Sequence, residues 1–240
     1  MQLWRVVHHL QRSIAVVSNL PGYPHLGVSF GYENARIAHL AHEFEAHDLS
    51  RSSAVDRSHR ELQYILDILE FWWGHPARIA ASTATLVSQE AQESDTVLTG
   101  TVVAGASVSV ARAVRLPTAE ALKTAPARLP VWLRLANDAS QSSSSADAVR
   151  NYYMIWEDKN GRPTSGQREA QRLKFIRDFV SHGEPLSNPG LKAFLAKELG
   201  SPVVRYDPTD LNHRQLVADG CTRARVLIDG ELRALLGSST

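Results

Sequence analysis

Arg177, Asp178 and His182 stand close together in the run Lys174-Phe-Ile-Arg-Asp-Phe-Val-Ser-His-Gly-Glu184. These are residue types that can do chemistry. A guanidinium is permanently charged, and its planar fork of donors suits phosphate oxygens. An imidazole with a pKa near neutrality can both accept and donate a proton. On a helix Asp178 and His182 are four apart and share a face, so the carboxylate can orient the ring and favour its cationic form. Gly183 fits the left-handed position after a last helical turn, which would leave His182 at the negative end of the helix dipole. Arg177 and His182 are five apart, roughly 140° around a regular helix. They converge only if the helix end distorts or if each meets a second copy across an interface. A plainer account competes: basic residues collect in last turns because they complement the dipole, and an Arg-Asp pair is commonly a solvated surface feature.

The elements that must position these groups are helical. The periodicity predicts a helix over about 167–182 that buries Leu173, Ile176 and Phe179 or Val180. Before it, residues 146–159 form an amphipathic pattern with Val149, Tyr152, Tyr153, Ile155 and Trp156 on the apolar side and Glu157 and Asp158 near its end. Ser145 or Asp147 is the expected cap. An earlier helix begins at Pro130. Asn188-Pro-Gly190 predicts a capped short helix that Gly200 ends, and Asp210 caps a long segment, 211–236, with an interruption expected at Gly220 and a break at Asp229-Gly230. Short loops favour antiparallel neighbours.

The first half reads differently. Residues 3–17, 27–30 and 35–49 are rich in Val, Ile and aromatics between polar turns and predict strands. Leu62, Ile65, Leu66, Leu69 and Trp73 recur at three and four, predicting a helix over 58–73 that Gly74-His-Pro76 stops. Residues 77–87 and 96–116 predict further strands, the second alternating almost regularly. Pro117, Pro126 and Pro130 mark a transition with a short helix between them. The fold expected is α+β: a β-rich domain with one amphipathic helix over 1–117, then an all-α antiparallel bundle of four to five helices over 118–240.

Composition narrows the function classes. The 240 residues are 43% hydrophobic and 21% charged, ordinary for a soluble globular chain, with a net charge of +1 that excludes blanket attraction to nucleic acid. The two halves carry −2 and +3, which permits a local basic groove. The single cysteine, Cys221, excludes an intrachain disulfide and a multi-cysteine zinc site, and reads as a packed small residue. With no long apolar run and no signal-peptide pattern, the expectation is a cytoplasmic protein without membrane association. His39, His42 and His47 form the densest histidine cluster, but His42 and His47, five apart, share neither a helical face nor a strand face. A zinc site there needs ligands from elsewhere, such as His8, His9 or His25. No phosphate-binding glycine loop and no nucleophile elbow is present. The Trp72-Trp73 pair reads as core. The expectation is therefore no metal and no cofactor.

Arg177-Asp178-x-x-x-His182, late in the third helix of a small bundle, resembles the signature of the HEPN superfamily: Arg, a small polar residue, three variable residues and His. The preceding aromatic helix, Asp147 to Asp158, and the exit Gly183-Glu-Pro185 are also similar to that family. The resemblance covers about residues 129–236 and does not reach the N-terminal half. It implies a metal-independent endoribonuclease acting on single-stranded or loop RNA, in which two bundles pair so that the motifs face each other. His182 would then be general base or acid for 2′-hydroxyl attack on the adjacent phosphate. Arg177 would stabilise the phosphoryl charge, Asp178 would position the motif, and Glu157 or Asp158 would support it. Implied partners are an RNA substrate, a second copy bound through the bundle, and an antitoxin or regulatory protein, as suits a toxin or antiviral defence effector. Many HEPN proteins are inactive, so the alternative is a non-catalytic dimerisation or binding module with an N-terminal sensing domain.

Overall fold

Alternating apolar and polar residues early in the chain, and three- and four-residue periodicity later, produce a sheet region and a helical region. The computed structural model describes residues 1–17, 20–87, 96–97, 116–181, 188–201, 203 and 205–237. Two units result, Met1–Ala125 with Leu236, and Pro126–Leu235. The division falls after Ala125 rather than at Pro117. The Tyr23 hydroxyl donates to the Pro117 carbonyl at 3.0 Å, and Leu116 and Leu122 are buried, so this stretch belongs with the sheet.

The first unit contains β1 (Gln2–Ala15), β2 (Gly22–Tyr23), β3 (Val28–Glu33), β4 (Arg36–Ala46), α1 (Arg51–Trp73), β5 (Ile79–Leu86), β6 (Thr96–Val97) and α2 (Ala119–Thr124). Its strands pair antiparallel in the order β2-β3-β4-β1-β5-β6. Most of the strand expected over 96–116 lies outside the described residues. Strand alternation buries Trp4, Val6 and His8 of β1 while Leu3, Arg5 and His9 stay exposed. Trp4, Val6, Phe44 and Ala84 pack with Ala54 and Val55 of α1, so α1 covers that face. The helix starts at Arg51, earlier than the apolar period suggests, because Ser50 caps it by accepting from the Ser53 amide. Gly74 ends it with φ 75°.

Under α1 the sheet face is partly polar. His8 is hydrogen-bonded through Nδ1 to Ser82 Oγ (2.7 Å) and through Nε2 to Ser58 Oγ (2.7 Å), and Ser58 Oγ also meets His42 Nδ1 (3.0 Å). All four residues are buried, and Glu61 lies 3.6 Å from His42 Nε2. Ser58 has one proton, so it can donate to at most one of the two imidazoles. The histidines of 39–47 are thus split. His42 joins this network, and His39 leaves by the other face, where its ring fills the space above Gly31. His9 faces His39 there, with ring centroids 5.5 Å apart. Among the described residues no group of three or more His, Cys, Asp or Glu side chains is placed to hold a metal ion.

The second unit contains α3 (Leu129–Gln141), α4 (Ser145–Asn160), α5 (Arg168–Ser181), α6 (Pro189–Leu199) and α7 (Leu211–Leu235). Helix α4 packs against α3, α5 and α7, burying Val149, Tyr152, Tyr153, Ile155 and Trp156. Its cap is Ser144, one residue before the expected Ser145. Consecutive long helices run antiparallel. Trp132 at the start of α3 meets Asp158 at the end of α4, and Arg150 near the start of α4 meets Val180 at the end of α5. Helices α4 and α7 are parallel, since Lys159 and Glu231, both near a C-terminus, form an ion pair. Helix α7 is continuous through Gly220 and Gly230, against the break expected there. Gly220 serves packing instead. A Cβ at this position would lie 2.3 Å from Ile176 Cδ1 on α5.

Two outcomes follow from this packing. Gly220→Ala should destabilise the helical unit by about 1–2 kcal/mol through overpacking, and adding Ile176→Val should restore most of the loss in a denaturant double-mutant cycle. Burial, with His59, His42 and His9 nearby, lowers the pKa of His8 to about 4 from 6.5. The folded state therefore favours the neutral ring, and this contribution is complete above pH 6.5 and lost as pH falls toward 4. Urea titrations across that window should show a decline on the order of 3 kcal/mol, flattened in His8→Gln.

Candidate functional site

Arg177 projects from α5 onto α4. Its Cζ lies 4.2 Å from the centre of the Tyr153 ring, a cation-π contact that fixes the guanidinium plane. Nη1 forms an ion pair with Asp178 Oδ1 at 2.9 Å, and Lys174 Nζ donates to Asp178 Oδ2 at 2.7 Å. Asp178 is buried, at 7% exposure, whereas the Arg177 and Lys174 side chains keep about a quarter of theirs (25% and 24%). Two cations thus share one sunken carboxylate. Arg177 Nε is buried with no hydrogen-bond partner among the described residues.

Helix α4 supplies the other wall. The Tyr153 hydroxyl donates to Glu157 Oε1 at 3.2 Å, and Glu157 lies 3.9 Å from Arg162. Burial raises the Tyr153 pKa, while Arg177 acts to lower it. Glu157 therefore reaches the Arg177 contact through Tyr153. Asp158 does not. It accepts from Trp132 Nε1 at 2.6 Å and from Arg128 Nε at 2.9 Å, bonds that lower its pKa and clasp α3 to α4. The two acidic residues proposed together from sequence have separate surroundings one residue apart.

The helix carrying the motif is well anchored. Arg150 Nη2 donates to the Val180 carbonyl at 2.5 Å, and its Nε donates to Ser181 Oγ at 3.3 Å, satisfying groups at the end of α5. His182 and Gly183 lie outside the described residues, so the pairing expected between Asp178 and His182 does too. Within the described residues the structure brings together Lys174, Arg177, Asp178, Tyr153 and Glu157. Tyr153 and Lys174 are the members that sequence reasoning missed as site residues. Tyr153 was legible only as part of an apolar stripe, although a tyrosine four residues before a glutamate on one helix is a usable signal for its hydroxyl bond.

Chemically, the arrangement offers a fixed cation, with one donor unpartnered among the described residues, suited to oxygen acceptors carrying negative charge. It offers no activated thiol. Burial pushes the Cys221 thiol up, away from the thiolate form. Comparison with protein-family models, curated proteins and solved structures finds no match for this chain.

Asp178→Asn tests the electrostatics of the patch. The amide keeps the shape but leaves Arg177 and Lys174 facing each other without their anion. Because both cations are partly solvated, the expected cost is about 1–2 kcal/mol rather than that of a fully buried broken pair. Chemical denaturation at low and high salt should show the loss shrinking as salt screens the two cations.

Proposed function

We propose that the chain is a metal-independent endoribonuclease of the HEPN type, acting as a homodimer through its helical unit. The observation that supports this best is Arg177, held by Tyr153 and Asp178 yet keeping a buried donor without a hydrogen-bond acceptor among the described residues. A guanidinium so constrained needs little reorganisation when negative charge grows on a phosphoryl group. In the reaction the ribose 2′-oxygen attacks the adjacent phosphorus and the bond to the 5′-oxygen breaks. His182 takes the proton from the 2′-hydroxyl or gives one to the departing 5′-oxygen, with its counterpart in the second protomer filling the other role. The products are a 2′,3′-cyclic phosphate and a 5′-hydroxyl. Arg177 stabilises the charge, Asp178 holds Arg177, and Glu157 acts through Tyr153 as a positioning residue. Asp158 serves the fold. A toxin or phage-defence role fits such an activity, with the β-rich unit sensing a trigger or binding an antitoxin or regulatory partner in the cytoplasm.

A second reading has one observation in its favour. Asp178 is buried under two cations, and such a cluster also stabilises a bundle that only dimerises or binds. Purified protein incubated with labelled single-stranded and hairpin RNA in EDTA separates the two. Under the nuclease reading, cleavage leaves cyclic-phosphate ends and falls by at least about 100-fold in Arg177→Ala, as for loss of an oxyanion-type donor. His182→Ala removes it, while Asp158→Asn alters thermal stability more than rate. Intact RNA over a panel of substrates, with a dimeric wild type, selects the binding module.

A further inference from the structure

An open recess of about 540 Å³ is formed where the loop before α7 meets the first turn of that helix, lined in part by Ser201, Arg205, Tyr206, Asp207 and His213. His213 is 9% exposed and packs edge-on against Phe179 of α5, with Tyr206 stacked alongside. The Asp207 amide donates to His213 Nδ1 at 3.1 Å. With Nδ1 accepting from an N–H, Nε2 is the nitrogen left to donate. Nε2–H has no partner among the described residues. The recess therefore contains a buried imidazole available only as a donor.

The rest of the lining adds further donors beside the Asp207 carboxylate. Arg205 is exposed and forms no ion pair among the described residues, and Ser201 and Tyr206 add hydroxyls. Two carboxylates belong to this loop, Asp207 in the lining itself, and each turns its Oδ1 into a local turn or cap. Asp210 Oδ1 accepts from the Asn212 and His213 amides, and Asp207 Oδ1 accepts from the Thr209 amide and hydroxyl. The positive end of the α7 dipole faces the same loop.

We infer that this recess binds a phosphate group, with His213 Nε2–H and the Arg205 guanidinium as donors. Residues 177 and 179 are roughly 200° apart around α5. The side of α5 that packs on His213 is therefore opposite the side carrying Arg177, and the phosphate site is separate from the proposed nuclease site. The group can arrive as free inorganic phosphate or as the terminal phosphomonoester of a nucleotide.

Calorimetric titration with inorganic phosphate and with AMP tests this on the full chain. Wild type and Arg177→Ala should bind at one saturable site. Arg205→Gln and His213→Phe should each weaken binding at least tenfold, and the His213 Nε2–H resonance should shift on addition of ligand. Tighter binding of AMP identifies a nucleotide terminus as the source, and tighter binding of phosphate identifies the free ion. Absence of saturation by both ligands, or equal affinity in Arg205→Gln, overturns the assignment. Arg205 is exposed, so that variant decides even if His213→Phe fails to fold. Loss of RNA cleavage in Arg177→Ala with phosphate binding intact keeps the two sites distinct.

Discussion

The contact between the Arg177 guanidinium and the Tyr153 ring joins α5 to α4, and the order of the helical unit around Arg177 depends on it. Tyr153 is 1% exposed and belongs to the apolar side of α4, which packs on three neighbouring helices. A cation resting on that ring is aligned by the core itself, not by a mobile surface partner. Desolvation also strengthens the attraction beyond what an exposed pair provides. Asp178 then fixes the fork from its own helix, and Arg150 holds the end of α5 by its terminal carbonyl. The result is a preset cation on a rigid element, the arrangement a site needs when position matters more than adaptability.

The sheet unit solves a different problem with similar means. His8, Ser58, Ser82 and His42 place a polar chain inside an otherwise apolar interface between sheet and helix. Such a network costs little when every member is satisfied, and it disfavours other registers. A two-residue slip of β1 would separate His8 from Ser82 and leave Ser58 with His42 alone. Its dependence on neutral imidazoles ties the fold to pH. It also explains why a dense histidine count produces no metal cluster among the described residues: the rings are spent on serines or divided between faces.

The α+β class and most elements were legible because alternation and three-to-four periodicity are local signals. Leu62, Ile65, Leu66 and Leu69 declared α1 without help from the sheet. Features set by a second element were not legible. Gly220 resembles a helix breaker in isolation, and only Ile176 on another helix makes it a close-packing position. Ser58 looks like an ordinary polar residue inside α1, and its role requires β1 and β4. Glu157 and Asp158 are neighbours in sequence with like chemistry, yet the 100° step between them sends one toward Tyr153 and the other toward Trp132 and Arg128. The site was legible as residue types at a spacing. Its electrostatics was not, because Lys174 and Tyr153 carry no motif.

Regularity of α5 bears on how a two-group site would be assembled. The helix continues through Ser181 and its end is tied by Arg150. Over its described length, Arg168–Ser181, α5 is one unbroken helix. A preset Arg177 also has its side chain committed to α4 of its own chain, so it has little freedom to travel toward a distant base. Under the nuclease proposal the simplest completion is therefore symmetric, with each protomer presenting an immobile cation to groups supplied from the other. An isologous pairing repeats every contact twice. Dimer formation and transition-state stabilisation would then draw on the same surface, and a change that separates the protomers would remove the activity without touching the contact between Arg177 and Tyr153.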